Sequence, residues 1–168
     1  MSEAIVHPEG RLVFQGRVFR CALGRGGVID AARKREGDGG TPTGLLALRR
    51  IHYRADRMAI PRCAVPRSPI APDELWCDAP GHPDYNRLVR RPFEASHEEM
   101  WRADELYDIV GELGGNDAPV VPGRGSAIFL HLARPDYGPT AGCVALSRAD
   151  LLEVLAGGVT ALRVLPVA

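Results

Sequence analysis

Half of the chain's 14 prolines fall between residues 61 and 92. Each proline fixes its own φ and removes a backbone donor, so neither a long helix nor a central strand can run through that stretch. The segment is therefore an irregular excursion between two regions that read as regular structure. Loops of this length within one domain are more often functional than idle, which makes it a candidate lid or wall of a site.

Before the excursion, short apolar segments alternate with turn residues. Ala4-Ile5-Val6, Leu12-Val13-Phe14 and Val18 to Leu23 read as strands, with bends at Pro8-Glu9-Gly10 and Gln15-Gly16, and together they predict a β-meander. Gly37 to Gly44 is a loop by composition, and Leu45 to Tyr53 reads as a further strand. Beyond the excursion, Ser96-His97-Glu98-Glu99 has capping-box spacing and predicts a helix opening there. Leu106 to Leu113 fits either helix or strand, because a short apolar run does not settle the period. Ser126 to His131 reads as a buried strand ending on histidine. Ser147 and Asp150 signal the start of a second helix, closed by Gly157-Gly158, and Leu162 to Val167 reads as a last strand. The expected fold is mainly β, a curved mixed sheet or sandwich with one or two short helices, built as one domain over residues 1–168.

Composition narrows the partners. The 21 basic and 21 acidic residues cancel, leaving no electrostatic footprint for a nucleic-acid backbone or an anionic membrane. No run of 18 apolar residues occurs, so no membrane-spanning helix is expected. The start, Met1 to His7, lacks a basic stretch followed by an apolar one, which predicts either a cytosolic protein or one whose export signal has been removed. Cys21, Cys63, Cys77 and Cys143 form no C-x-x-C pair and no Cys/His cluster of zinc spacing, so a metal site is not expected. Reduced thiols are the default, although two disulfides are arithmetically possible.

One pair of residues suits nucleophilic chemistry. A cysteine nucleophile must lose its proton, and a neighbouring imidazole can take it. His131 closes an apolar strand, and Cys143 follows behind a Pro/Gly turn able to fold it back onto the histidine. Gly142 allows close approach of a substrate carbonyl, and nearby backbone amides can act as an oxyanion hole. On this reading His131 holds the Cys143 thiol well below the free value of ~8.5. The bland alternative is a core cysteine and a satisfied strand-end histidine. Trp101, Tyr85 and Tyr137 fit a peptide groove or a core, His97 a helix end or the site, and Lys34-Arg35 a carboxylate contact or an exposed turn.

Residues Gly125 to His131, followed by Pro139-Thr140-Ala141-Gly142-Cys143-Val144-Ala145-Leu146-Ser147, resemble the signature of the YkuD-type L,D-transpeptidases: a histidine, a spacer, then Ser or Thr, any residue, and Gly-Cys. Upstream, Lys34 to Gly44 resembles the family's Thr-Pro-x-Gly loop. Asp84-Tyr85-Asn86-Arg87, Met100 to Asp104 and Leu106-Tyr107-Asp108 resemble a subgroup of small, single-domain members.

The resemblance implies a peptidoglycan cross-linking enzyme without cofactor or metal. Cys143 is its nucleophile, His131 its base, and the amides of Ala141, Gly142 and Cys143 its oxyanion hole. The implied partners are stem peptides and muropeptides, and a carbapenem is expected to acylate Cys143. A stem-peptide acyl group passes to a diaminopimelate amine, in a 3-3 or 1-3 linkage; water as acceptor makes the protein an L,D-carboxypeptidase or amidase. A peptidoglycan-binding module without catalysis is the alternative from another class. The substrate implies the cell envelope, against the cytosol that the chain's start suggests. Thr140-Ala141-Gly142-Cys143 lacks the histidine that many relatives carry before Gly-Cys, and Ala145 stands where many have arginine. Substrate binding then falls to Arg134, Arg102, Tyr137, Trp101 and Thr140.

Overall fold

A computed structural model describes residues 1–168. Its strands are β1 (Glu3–His7), β2 (Arg11–Phe14), β3 (Arg17–Arg20), β4 (Val28–Ile29), β5 (Thr41–Pro42), β6 (Gly44–Tyr53), β7 (Arg67–Pro69), β8 (Glu74–Cys77), β9 (Leu88–Arg90), β10 (His97–Glu99), β11 (Ile109–Leu113), β12 (Phe129–Leu132) and β13 (Val144–Leu146). The helix α1 (Arg148–Ala156) and the strand β14 (Ala161–Val164) complete the chain.

The alternating burial of β1 and β2 lays one face of the meander on the core, with Ala4, Val6, Leu12 and Phe14 inward. The main sheet then runs β13-β12-β11-β6-β14-β1-β2-β3, with β7 added beside β6. Its two ends meet: just past β3, Ala22 exchanges both backbone hydrogen bonds with Ala145 of β13, at 2.8 and 3.0 Å. The mixed sheet is thereby nearly closed, which leaves few unpaired edge groups. A cluster of 23 buried residues fills one side, and α1 packs Leu151, Val154 and Leu155 into it. Ser147 caps α1, accepting the Asp150 amide at 3.2 Å, as its sequence predicts.

The other side of β11, β12 and β13 carries a second, smaller core, and here the proline-rich excursion has its place. Instead of remaining irregular, it forms short strands, of which β8 pairs with both β9 and β10. Trp76 of this small sheet meets Phe129 edge-on at 5.0 Å, and Tyr107 meets Phe129 at 5.8 Å. Each strand is three or four residues long, short enough to fit between prolines.

Two further expectations are corrected. No helix follows Ser96; His97–Glu99 is strand β10, paired with Leu75–Cys77. The capping-box residues are followed by alternation instead of a helical stripe, with Glu98 facing a cavity, Glu99 exposed and Met100 fully buried. The strand expected from Ser126 begins only at Phe129, because Ala127 adopts φ +53° and cannot continue a pleat. The ambiguous run before Gly114 resolves as β11, a strand from Ile109.

Candidate active site

Parallel pairing of β12 with β13 sets His131 opposite Ala145. Cys143 lies two residues before Ala145 and so shares its face, one pleat from the imidazole. The Phe129 amide, 3.4 Å from the sulfur, fixes the cysteine at that step of the sheet. Both side chains line one cavity of about 420 Å³, roofed partly by the small sheet through Asp78 and Glu98.

Thr140 and Gly142 shape the turn before the nucleophile candidate. Thr140 Oγ1 donates to the Cys143 carbonyl at 2.8 Å and accepts the Gly142 amide at 3.1 Å. Gly142 sits at φ +132°, where a Cβ would lie 2.9 Å from the Gly40 carbonyl; the position needs glycine. Because Thr140 takes the Gly142 amide, only those of Ala141 and Cys143, among the three expected to form an oxyanion hole, have no protein acceptor.

The imidazole has one fixed orientation. His131 Nδ1 lies 2.9 Å from the Leu132 carbonyl, which can only accept, so the ring donates from Nδ1 and keeps the Nε2 lone pair free. Tyr107 meets this ring edge-on at 5.3 Å. The Cys143 thiol donates to the Ala127 carbonyl at 3.2 Å and shares no hydrogen bond with the imidazole. Burial pushes the thiol up to about 12, and Glu98 nearby adds to the rise. Burial also pushes His131 down to about 4, helped by Arg102 and Arg134. The resting pair is therefore neutral thiol and neutral imidazole, contrary to the depressed thiol pKa that the sequence leads one to expect. Desolvation by burial is the largest cause for both groups.

The substrate-binding candidates divide. Arg102, Arg134 and Thr140 line the cavity, whereas Trp101 and Tyr137 do not. Trp101 lies under the Arg54 guanidinium at 3.5 Å, and Tyr137 under that of Arg20 at 4.2 Å, beside a neighbouring groove. Tyr85 is core, 2% exposed, its hydroxyl donating to Glu36 and accepting the Gly125 amide. Lys34 is buried as well, its ammonium on Asp38 Oδ1 at 2.5 Å and on the Arg35 carbonyl. Asp38 in turn accepts the Gly40 amide at 2.8 Å, so this ion pair holds the glycine loop against Gly142. His97 stands on β10 with Nδ1 on the Ala95 carbonyl, outside the cavity lining.

Several lining residues escaped sequence reasoning: Arg25, Glu36, Asp78, Glu98, Ser126 and Ala127. Asn86 is a further one, acting from behind, since its Oδ1 accepts the Ala127 amide at 3.0 Å and holds that residue in its left-handed turn. The available signal was that Ser126-Ala127, Glu36 and Asn86 lie within segments that resemble the family, though none was singled out there.

The family model for the YkuD L,D-transpeptidase catalytic domain matches residues 3–156. This chain belongs to that family, and its mostly β, nearly closed sheet agrees with the assignment. Comparison with curated proteins and with solved structures returned no match. No helix is long and apolar enough to cross a membrane.

Proposed function

We propose that this chain is a cysteine acyltransferase that acts on peptidoglycan stem peptides and joins them, with Cys143 as nucleophile and His131 as its base. The observation that carries the reading is the shared cavity. It joins a thiol to a histidine whose tautomer already offers a bare Nε2.

In the first half-reaction the thiol leaves the Ala127 carbonyl and gives its proton to Nε2 as sulfur attacks the carbonyl carbon of an L-centre. The oxyanion is met by the free amides of Ala141 and Cys143. On collapse the C–N bond breaks, the imidazolium protonates the leaving amine, and a thioester remains on Cys143. In the second half-reaction the amine of a diaminopimelate residue attacks the thioester, Nε2 takes its proton, and the sulfur leaves and is reprotonated. Starting from neutral groups has a consequence: charge appears only when substrate is present, so the pair works by general-base attack instead of through a standing thiolate.

Incubation with purified muropeptides and mass analysis of the products tests this. Cross-linked dimers from the wild type and none from Cys143→Ala are expected. Trimmed monomers alone, at every acceptor concentration, would replace the transferase by a carboxypeptidase; turnover in Cys143→Ala would overturn the mechanism.

A further inference from the structure

The segment Asp84-Tyr85-Asn86-Arg87 supplies no group to the chemistry proposed above, yet two of its side chains hold the strand that leads into the site. Residues 125–128 belong to no strand. Gly125 and Ala127 both have positive φ, +109° and +53°, and no backbone carbonyl accepts their amides. Adjacent side chains of the segment accept them instead: the Tyr85 hydroxyl takes the Gly125 amide and Asn86 Oδ1 the Ala127 amide, each at 3.0 Å. Asn86 is itself held on two further sides. Its Oδ1 also accepts Trp76 Nε1 at 2.9 Å, and its Nδ2 donates to the Asn116 carbonyl at 2.7 Å.

This clamp bears on the nucleophile. The Cys143 thiol donates to the Ala127 carbonyl at 3.2 Å, and the Phe129 amide lies 3.4 Å from the sulfur, so both polar contacts to Sγ come from the clamped stretch and the residue just beyond it. The aim of the Ala127 carbonyl follows from its dihedrals, and the left-handed region is disfavoured for an alanine by about tenfold. With no acceptor for its amide, Ala127 would relax toward an extended conformation. Its carbonyl would then turn away from the thiol, and the path into Phe129 would shift with it. Attack on a carbonyl demands a sulfur held in one place, since a misplacement of about 1 Å costs on the order of a hundredfold.

We infer that Asn86 is a positioning residue for Cys143, acting through Ala127. It touches none of the reacting atoms; it fixes the turn that aims the sulfur. This rests on the acyl-transfer reading above and adds a residue on which the rate of acylation depends.

The test uses the intact protein and two readouts. The S–H stretching band of Cys143, isolated as the infrared difference between each protein and its Cys143→Ala counterpart, reports the thiol's hydrogen bond without any need for turnover. Wild type should show the lowered frequency of a thiol bonded to a carbonyl. Asn86→Gly suits the φ of +57° at this position and removes only the side chain, and it should move the band toward the free-thiol frequency. The limiting rate of thioester formation from a stem peptide, followed by mass, should fall by about tenfold with KM unchanged. Adding Ala127→Gly to Asn86→Gly should recover most of that loss, because glycine takes a positive φ unaided. A merely structural Asn86 would gain nothing from a change at residue 127. Asn86→Asp keeps an acceptor for Ala127 and Trp76 and gives up only the donor to Asn116, so it should retain the band and the rate even where Asn86→Gly does not fold. An unmoved band in Asn86→Gly, a double variant no faster than Asn86→Gly, or an Asn86→Asp protein that is folded but has lost both the band and the rate overturns the inference. Absence of thioester in the wild type would overturn the acyl-transfer reading instead, and the band would still decide whether Asn86 positions the thiol.

Discussion

The resting protonation state of Cys143 can be read from the pH dependence of its alkylation. With the thiol pushed up to about 12, the thiolate at pH 7 is about one molecule in 10⁵, since each pH unit below the pKa costs tenfold. A free cysteine at ~8.5 is thiolate in about one molecule in thirty at that pH, so Cys143 should be less reactive by about three orders of magnitude before steric shielding is counted. Shielding rescales the rate at every pH alike, so the slope is the informative quantity. The logarithm of the iodoacetamide rate at Cys143, followed by peptide mass, should climb by one per pH unit from 6 to 10 without a plateau. His131→Ala should give the same slope, because a neutral imidazole contributes no charge to hold a thiolate. A plateau between pH 5 and 8 that disappears in His131→Ala would mean a standing thiolate–imidazolium pair and would refute the neutral resting state.

Acidification should weaken the fold through the same histidine. His131 takes up its proton near 6.5 in the unfolded chain but only near 4 in the native one, so stability falls between those values, by on the order of 3 kcal/mol in total. Urea midpoints at pH 7 and 4.5 should show that loss, reduced in His131→Gln. Gly24→Ala should destabilise by about 3 kcal/mol, as its Cβ would stand 2.1 Å from the Gly39 carbonyl and 2.9 Å from Gly142 Cα. Gly81→Ala, with open space around it, is the control and should leave the thermal midpoint unchanged or slightly higher.

What was legible in the sequence depended on whether the signal was local. The meander, the strand through Tyr53 and α1 with its Ser147 cap all announce themselves in neighbouring residues. Ser96-His97-Glu98-Glu99 misled because pairing with β8, remote in sequence, decides its conformation. The Cys143 and His131 candidates were visible as a spaced pair, yet their environment was not. Burial sets their protonation, and burial comes from Trp76, Tyr107 and Phe129, which the sequence does not connect. Glu36, Asp78 and Glu98, far apart in the sequence, come to one cavity only in the folded chain. Ala127 gave no warning of its positive φ, a conformation that the Asn86 side chain supports from outside the segment.

The bridge between Ala22 and Ala145 has a further consequence, for the order in which the molecule acquires reactivity. One side of β13 is matched by β12 and the other by Ala22, far earlier in the sequence. The seam beside β13 thus joins segments far apart in the sequence, and contacts so distant along the chain are slow to form. A half-collapsed molecule possesses the cysteine but not the β12–β13 register that sets it beside His131. On the proposed mechanism, histidine-assisted acyl transfer therefore waits for the seam to shut.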